Sequence, residues 1–144
     1  MNSINYHQLA PNALNILLQQ EAYLKSAFND SQWLSLTLWD LVKMRVSQMN
    51  RCAYCIEMHS QSALAQGESV ERLLALNAWQ NSSLFTKSEK AILHWAERIT
   101  NNAEVGSEEL SELREHLDER SICDLTFAIN AINSWNRVAR SFNP

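Results

Sequence analysis

The sequence predicts an all-α fold, on three observations. Glycine and proline number only two each in 144 residues, and sheets and long loops usually need more turn residues. Apolar residues recur at helical spacing between recognisable cap signals. No stretch reads as a strand, and no repeat, low-complexity tract or domain linker interrupts the chain. With 46% hydrophobic residues, a single domain over residues 1–144 is long enough to build a proper core.

Tyr6 to Phe28 carries a helical pattern after Pro11, through Leu14, Leu17, Leu18 and Leu24. Asn29-Asp30-Ser31 reads as a break, with Ser31 capping a second helix to about Asn50. That helix is apolar nearly all round, from Trp33 to Met49, as buried helices are. One narrow polar stripe crosses it at Asp40, Lys43 and Ser47. Asn50 is expected to cap a third helix, which ends near Gly67 in a glycine C-cap. Ser69 to Gln80 follows as a short helix carrying Leu73, Leu74, Leu76 and Trp79. Thr86-Lys-Ser-Glu89 is a capping box that opens a helix to about Asn101. Gly106 and Ser107 read as stop and N-cap of a short helix to His116, acidic at its start as the helix dipole prefers. Ser121-Ile-Cys-Asp124 is expected to cap the last long helix, to about Phe142.

Charge narrows the function classes. The 16 acidic residues outnumber the 12 basic ones, for a net charge of −4. No basic block appears, which argues against nucleic acid as a partner. Met1 to Ala10 lacks the basic and apolar regions of a signal peptide, and no charge-free apolar run approaches the ~18 residues of a membrane span. Three cysteines, two of them in one CxxC, make a poor disulfide framework and a better redox or metal motif. A reducing cytoplasm, where a disulfide is transient, is the expected home.

The chemistry concentrates in Cys52-Ala-Tyr-Cys55-Ile-Glu57-Met-His59. On a helix, Cys55 lies about 60° from Cys52 and His59 about 20° from it, so all three share a face. Cys55 and His59 form an i, i+4 pair whose side chains can meet. A thiolate is the reactive form of cysteine. Here a helix N-terminus, the charge of Arg51 and the base His59 can each favour it. The bland alternative is two buried structural cysteines beside a solvated histidine. Zinc is a third reading, but a structural site needs a fourth ligand, and His7, His94 and His116 are scattered as surface or core histidines. No metal and no cofactor is expected.

Asp40 is a carboxylate on an otherwise apolar helix, so it is either paired or functional. Lys43 at i+3, or an arginine elsewhere, is its candidate structural partner. Glu57 points about 140° away from Cys52 and reads as a solvated charge. Cys123 lies among Ile122, Leu125 and Phe127 and reads as a small core residue. The five tryptophans read as core packing.

The run Asp40-Leu-Val-Lys-Met-Arg-Val-Ser-Gln-Met-Asn-Arg-Cys52-Ala-Tyr-Cys55-Ile-Glu-Met-His59 resembles the AhpD-like alkylhydroperoxidase family, within the carboxymuconolactone decarboxylase superfamily. The likeness continues through Ala63, Gly67 and Glu68, Leu73 to Trp79, Phe85 to Glu89 and Ala131 to Arg137, and the opening Ile4 to Pro11 also fits. It implies an AhpD-like helical bundle assembled as trimers or hexamers. It also implies a peroxidase that reduces hydroperoxides with its cysteine pair. By the resemblance, Cys55 attacks peroxide and becomes a sulfenic acid, and Cys52 resolves it as a disulfide. His59 and Asp40, the latter in the place of a glutamate, act as a proton relay. An external dithiol donor restores the thiols. The chain departs from the pattern in having Asp40 for glutamate, Arg51 for a common glycine, and Tyr54 where well-studied members carry a second histidine. The decarboxylase branch generally lacks the cysteine pair.

The residues and the resemblance together lead to a cytoplasmic, homo-oligomeric, antioxidant thiol peroxidase. Its catalytic residues would be Cys55, Cys52, His59 and Asp40. Two alternatives stay open. One is a protein thiol–disulfide oxidoreductase in which the more exposed Cys52 attacks. The other is a non-catalytic helical assembly locked by its disulfide.

Overall fold

The computed structural model describes residues 3–142, and among them every regular element is a helix. In chain order these are α1 (Tyr6–Leu9), α2 (Pro11–Asp30), α3 (Leu36–Met49), α4 (Ala53–Ala65), α5 (Val70–Ala75), a 3-10 turn (Leu76–Asn81), α6 (Lys87–Thr100), α7 (Ser107–Arg114) and α8 (Glu119–Phe142). None of the described helices is long and apolar enough to cross a membrane.

Helix α3 is the centre of the packing. It lies against α2, α4, α6 and α8, which is why it is apolar nearly all round. Leu41, Val42 and Val46 from α3 meet Ile92, Leu93 and Ala96 from α6 and Leu125, Ile129 and Ile132 from α8 in one buried cluster. Leu24 and Phe28 add the inner face of α2, and Phe28 packs edge-on against Trp39 with ring centroids 5.0 Å apart.

Several helix ends differ from expectation. Helix α2 runs on through Asn29 and Asp30 and closes at Ser31. The Ser31 hydroxyl accepts from the N–H groups of Trp33 and Leu34, so it shapes a turn, and Ser35 caps α3 by accepting from Leu38 N–H at 3.1 Å. Trp33 sits on that turn, outside the helix, and is 47% exposed rather than in the core. Asn50 ends α3 instead of opening α4, because its carboxamide donates to the Oδ1 atoms of Asn133 and Asn136 on α8. The expected Ser69–Gln80 helix tightens into the 3-10 turn after Ala75. Gly106, not Ser107, is the N-cap of α7, and that helix stops at Arg114.

Helix α8 begins before Ser121. Asp118 precedes it and accepts from Ser121 N–H at 2.8 Å, as an N-cap does. The Ser121 side chain and then its N–H, both hydrogen bonding to the carboxylate, hold the Asp118 carboxyl below the usual carboxylate range. Cys123 is exposed and free, not a core residue. On α8 the inward stripe is Ile122, Leu125 and Ile129, and Cys123 lies with Phe127 on the outer face.

Candidate active site

The turn between α3 and α4 fixes the first cysteine. Arg51 adopts the left-handed conformation, with φ 55°. Its N–H bonds the Gln48 carbonyl at 3.1 Å, and Cys52 N–H bonds the Ser47 carbonyl at 3.0 Å. These two bonds make a Schellman motif, whose left-handed position favours glycine. Glycine is the residue that the resemblance leads one to expect at 51. Cys52 is therefore tied to the end of α3 while it serves as the N-cap of α4.

Cys55 stands in the first turn of α4. Its Cα lies 5.2 Å from that of Cys52, and the two side chains are joined as a disulfide. Both cysteines are only 3% exposed. Cys52 is thus a cap residue rather than part of a continuous helix face, and it is no more exposed than Cys55. His59 follows Cys55 by one turn and is also buried. Among the described residues no group of three or more His, Cys, Asp or Glu side chains is arranged to hold a metal ion.

Asp40 reaches this helix from α3. Its Oδ1 lies 3.3 Å from His59 Nδ1, a long hydrogen bond, and its Oδ2 accepts from the Ser62 hydroxyl at 2.7 Å. An ionised carboxylate only accepts, so Nδ1 carries the proton in this pair and Nε2 is the basic nitrogen. The shorter aspartate side chain therefore still contacts the histidine directly.

The rest of the polar stripe of α3 is also paired. Lys43, 1% exposed, forms an ion pair with Glu21 of α2 and lies 3.9 Å above the centroid of the Trp39 ring. Burial pulls the Lys43 ammonium below its ordinary range, and the charges of Glu21 and Asp40 oppose that pull. The second oxygen of Glu21 accepts from Trp135 Nε1 at 3.2 Å. Ser47 accepts from Asn136 Nδ2 at 3.0 Å. The candidate structural pairing of Asp40 with Lys43 is not the one observed: Lys43 goes to Glu21 and Asp40 to His59.

Of the sequence candidates, Cys52 and Cys55 are joined to each other and His59, one turn further along α4, contacts Asp40, while Glu57 and Tyr54 are exposed. His7 lies on short α1, His94 on α6 and His116 after α7. Sequence reasoning missed Ser62 and Glu21. Ser62 had a usable signal, since it lies at i+3 from His59 on the same helix. Glu21 had none, because it comes from a separate helix at no motif spacing.

The chain is similar to several known proteins. The model of the carboxymuconolactone decarboxylase family matches residues 19–98, a stretch that holds Asp40, Cys52, Cys55 and His59. The chain is 38% identical over 138 residues to the uncharacterized protein YdfG of Bacillus subtilis, covering 94% of this chain and 90% of that protein. A crystal structure from Agrobacterium tumefaciens, of a protein of unknown function named as a candidate antioxidant defence protein AhpD, matches with a TM-score of 0.88 and 31% identity. That match covers 99% of this chain and 95% of the other. The debrominase Bmp8 shares the fold at a TM-score of 0.79 and 19% identity, over 92% of this chain and 70% of its own. One fold thus carries proteins named for different activities. With a family model over more than half of its length and a near full-length relative, the chain belongs to the AhpD-like carboxymuconolactone decarboxylase superfamily.

Proposed function

We propose that this protein is a thiol-dependent peroxidase that reduces hydroperoxides through Cys52 and Cys55. The observation that supports it best is the buried Cys52–Cys55 pair, with His59 one turn away and its ring tied to Asp40. In this reading His59 Nε2 takes the proton of Cys55. The thiolate attacks the hydroperoxide, the O–O bond breaks, and the alcohol leaves with the proton that His59 held. Cys55 is left as a sulfenic acid. The Cys52 thiol then attacks that sulfur, water leaves and the disulfide forms. An external dithiol reduces the bridge and departs as its own disulfide, in a compartment reducing enough to supply it. Asp40 orients His59 and steadies its positive charge, and Ser62 holds Asp40.

Burial also supports a small oxidant over a protein substrate. A protein disulfide oxidoreductase needs an attacking thiol that a partner can touch, and neither cysteine is more than 3% exposed. The A. tumefaciens neighbour's AhpD name points the same way. Rapid mixing of the reduced protein with hydroperoxide tests the proposal. The expected result is consumption of one equivalent per cysteine pair, far faster than free cysteine, with the Cys52–Cys55 bridge as product and Cys123 still reduced. Consumption no faster than free cysteine would reject it. So would a bridge through Cys123 as the main product.

A further inference from the structure

Lys43 presents a problem that the disulfide chemistry does not address. A nearly fully buried ammonium must have an anionic partner. Two carboxylates are available. Asp40 lies at i−3 on the same helix, a spacing at which side chains meet, and Glu21 comes from α2. Glu21 takes the ammonium on one oxygen while Trp135 Nε1 donates to the other at 3.2 Å. Asp40 keeps both of its oxygens for His59 and Ser62. Every oxygen of the two acids is thus committed, and the cation is held on the acid that does not face the histidine. The groups around Lys43 are Glu21 and Lys25 from α2, Trp39 and Asp40 from α3, and beyond Asp40 the His59 ring of α4.

We propose that Glu21 is a positioning residue for His59: by holding Lys43, it leaves Asp40 free to orient the imidazole. The inference rests on the role given to His59 above. The plainer reading is that Glu21–Lys43 only fastens α2 to α3. The two readings separate when the charges are removed singly and together. In Glu21→Gln the ammonium loses its anion and turns to Asp40, which then releases His59. Adding Lys43→Met removes the competitor and returns Asp40 to His59.

Two readouts test this. The first is the NMR signal of the His59 Nδ1 proton in the oxidised protein, which needs no turnover. The second is the first-turnover rate of the reduced protein with hydroperoxide. Glu21→Gln is expected to lose the proton signal and to slow the reaction roughly tenfold, a part of the ~10²–10⁴-fold that general-base help provides. The Glu21→Gln/Lys43→Met protein is expected to regain both. Lys43→Met alone is expected to keep the signal. An unchanged signal and rate in Glu21→Gln would overturn the inference. A loss that the double variant does not restore would mean a fastening role only. Loss of the signal in Lys43→Met would also contradict it, which keeps the test decisive if Glu21→Gln fails to fold. If the unaltered protein does not consume peroxide, the peroxidase reading fails while the NMR arm still judges this one.

Discussion

In the proposed mechanism, His59 is the residue on which the relay turns. Its Nδ1 lies 3.3 Å from Asp40, so in that mechanism the proton traffic falls to Nε2. His59→Ala is therefore expected to slow the first turnover by ~10²-fold or more. Asp40→Asn should cost less, since a carboxamide oxygen can still accept from Nδ1 but carries no charge. Ser62→Ala should cost least. Stopped-flow rates on the three reduced variants check this ranking. The four candidate residues stood out in the sequence because they lie in one run or on one exceptional helix. Ser62 was overlooked although its i+3 spacing from His59 offered a signal, whereas Glu21 lies on a separate helix at no motif spacing and leaves no pattern of its own. Arg51 shows the converse. Its left-handed φ of 55° is a strained choice for a residue with a side chain. Arg51→Gly is expected to stabilise the protein by roughly 0.5–1 kcal/mol, as relief of that strain outweighs the looser unfolded chain. Denaturant unfolding would measure it.

At the scale of elements, the caps decide what could be read in advance. The Thr86–Glu89 capping box was plain in the sequence and is present in both directions: Glu89 N–H to the Thr86 hydroxyl at 3.1 Å, and Thr86 N–H to the Glu89 carboxylate at 2.9 Å. Gly67, with φ 93°, closes α4 as expected. Ser31, Asn50 and Ser121 misled because each is a cap-forming residue type whose hydrogen bonds go to a turn, to another helix, or inside the first turn of a helix already capped by Asp118. Thr86→Ala should cost about 1 kcal/mol, the usual worth of an N-cap. Glu89 does more than cap α6. It also pairs with Arg72, which in turn holds Glu68 and lies 4.8 Å from the Phe85 ring centroid. Burial pushes the Glu89 carboxyl up, but Arg72 and the Thr86 N–H together hold it below the ordinary range. A depressed carboxylate stabilises the fold above the unfolded value of ~4.3 and loses that contribution as pH falls through the folded value. Glu89→Gln is thus expected to lower the melting temperature at neutral pH, with the gap to the unaltered protein closing in acid. Thermal melts across that range would show it.

At the scale of the whole molecule, the all-α class followed from the scarcity of turn residues and the helical spacing of apolar side chains. The central place of α3 followed from its lack of a polar face. Which tryptophan reaches solvent was not legible, because Trp33 lies on a turn whose path depends on where α2 stops. The outer surface carries large apolar residues, among them Leu9 at 75% exposure, Ile16 at 66%, Tyr54 at 69% and Leu74 at 78%. With the assembly that the resemblance implies, we propose a homo-oligomer. Light scattering at micromolar concentration should give a mass of a trimer or hexamer of the 16.5 kDa chain, and a monomer would sink the idea.

The central claim is that Cys55 attacks and Cys52 resolves. The helix N-terminus favours a thiolate at Cys52, a term of ~0.3–1 kcal/mol at an exposed site and up to ~2 kcal/mol at a more buried one such as this. The base His59 favours Cys55, and a base that removes the proton at the moment of attack contributes more. The most direct measurement treats the reduced Cys52→Ser protein with one equivalent of hydroperoxide and maps the product by mass spectrometry after trapping sulfenic acid. The expected result is a single reaction that stops at a trapped sulfenic acid on Cys55, while Cys55→Ser does not react. A sulfenic acid on Cys52 in Cys55→Ser, formed at the unaltered first-turnover rate, would contradict the account and reverse the two roles.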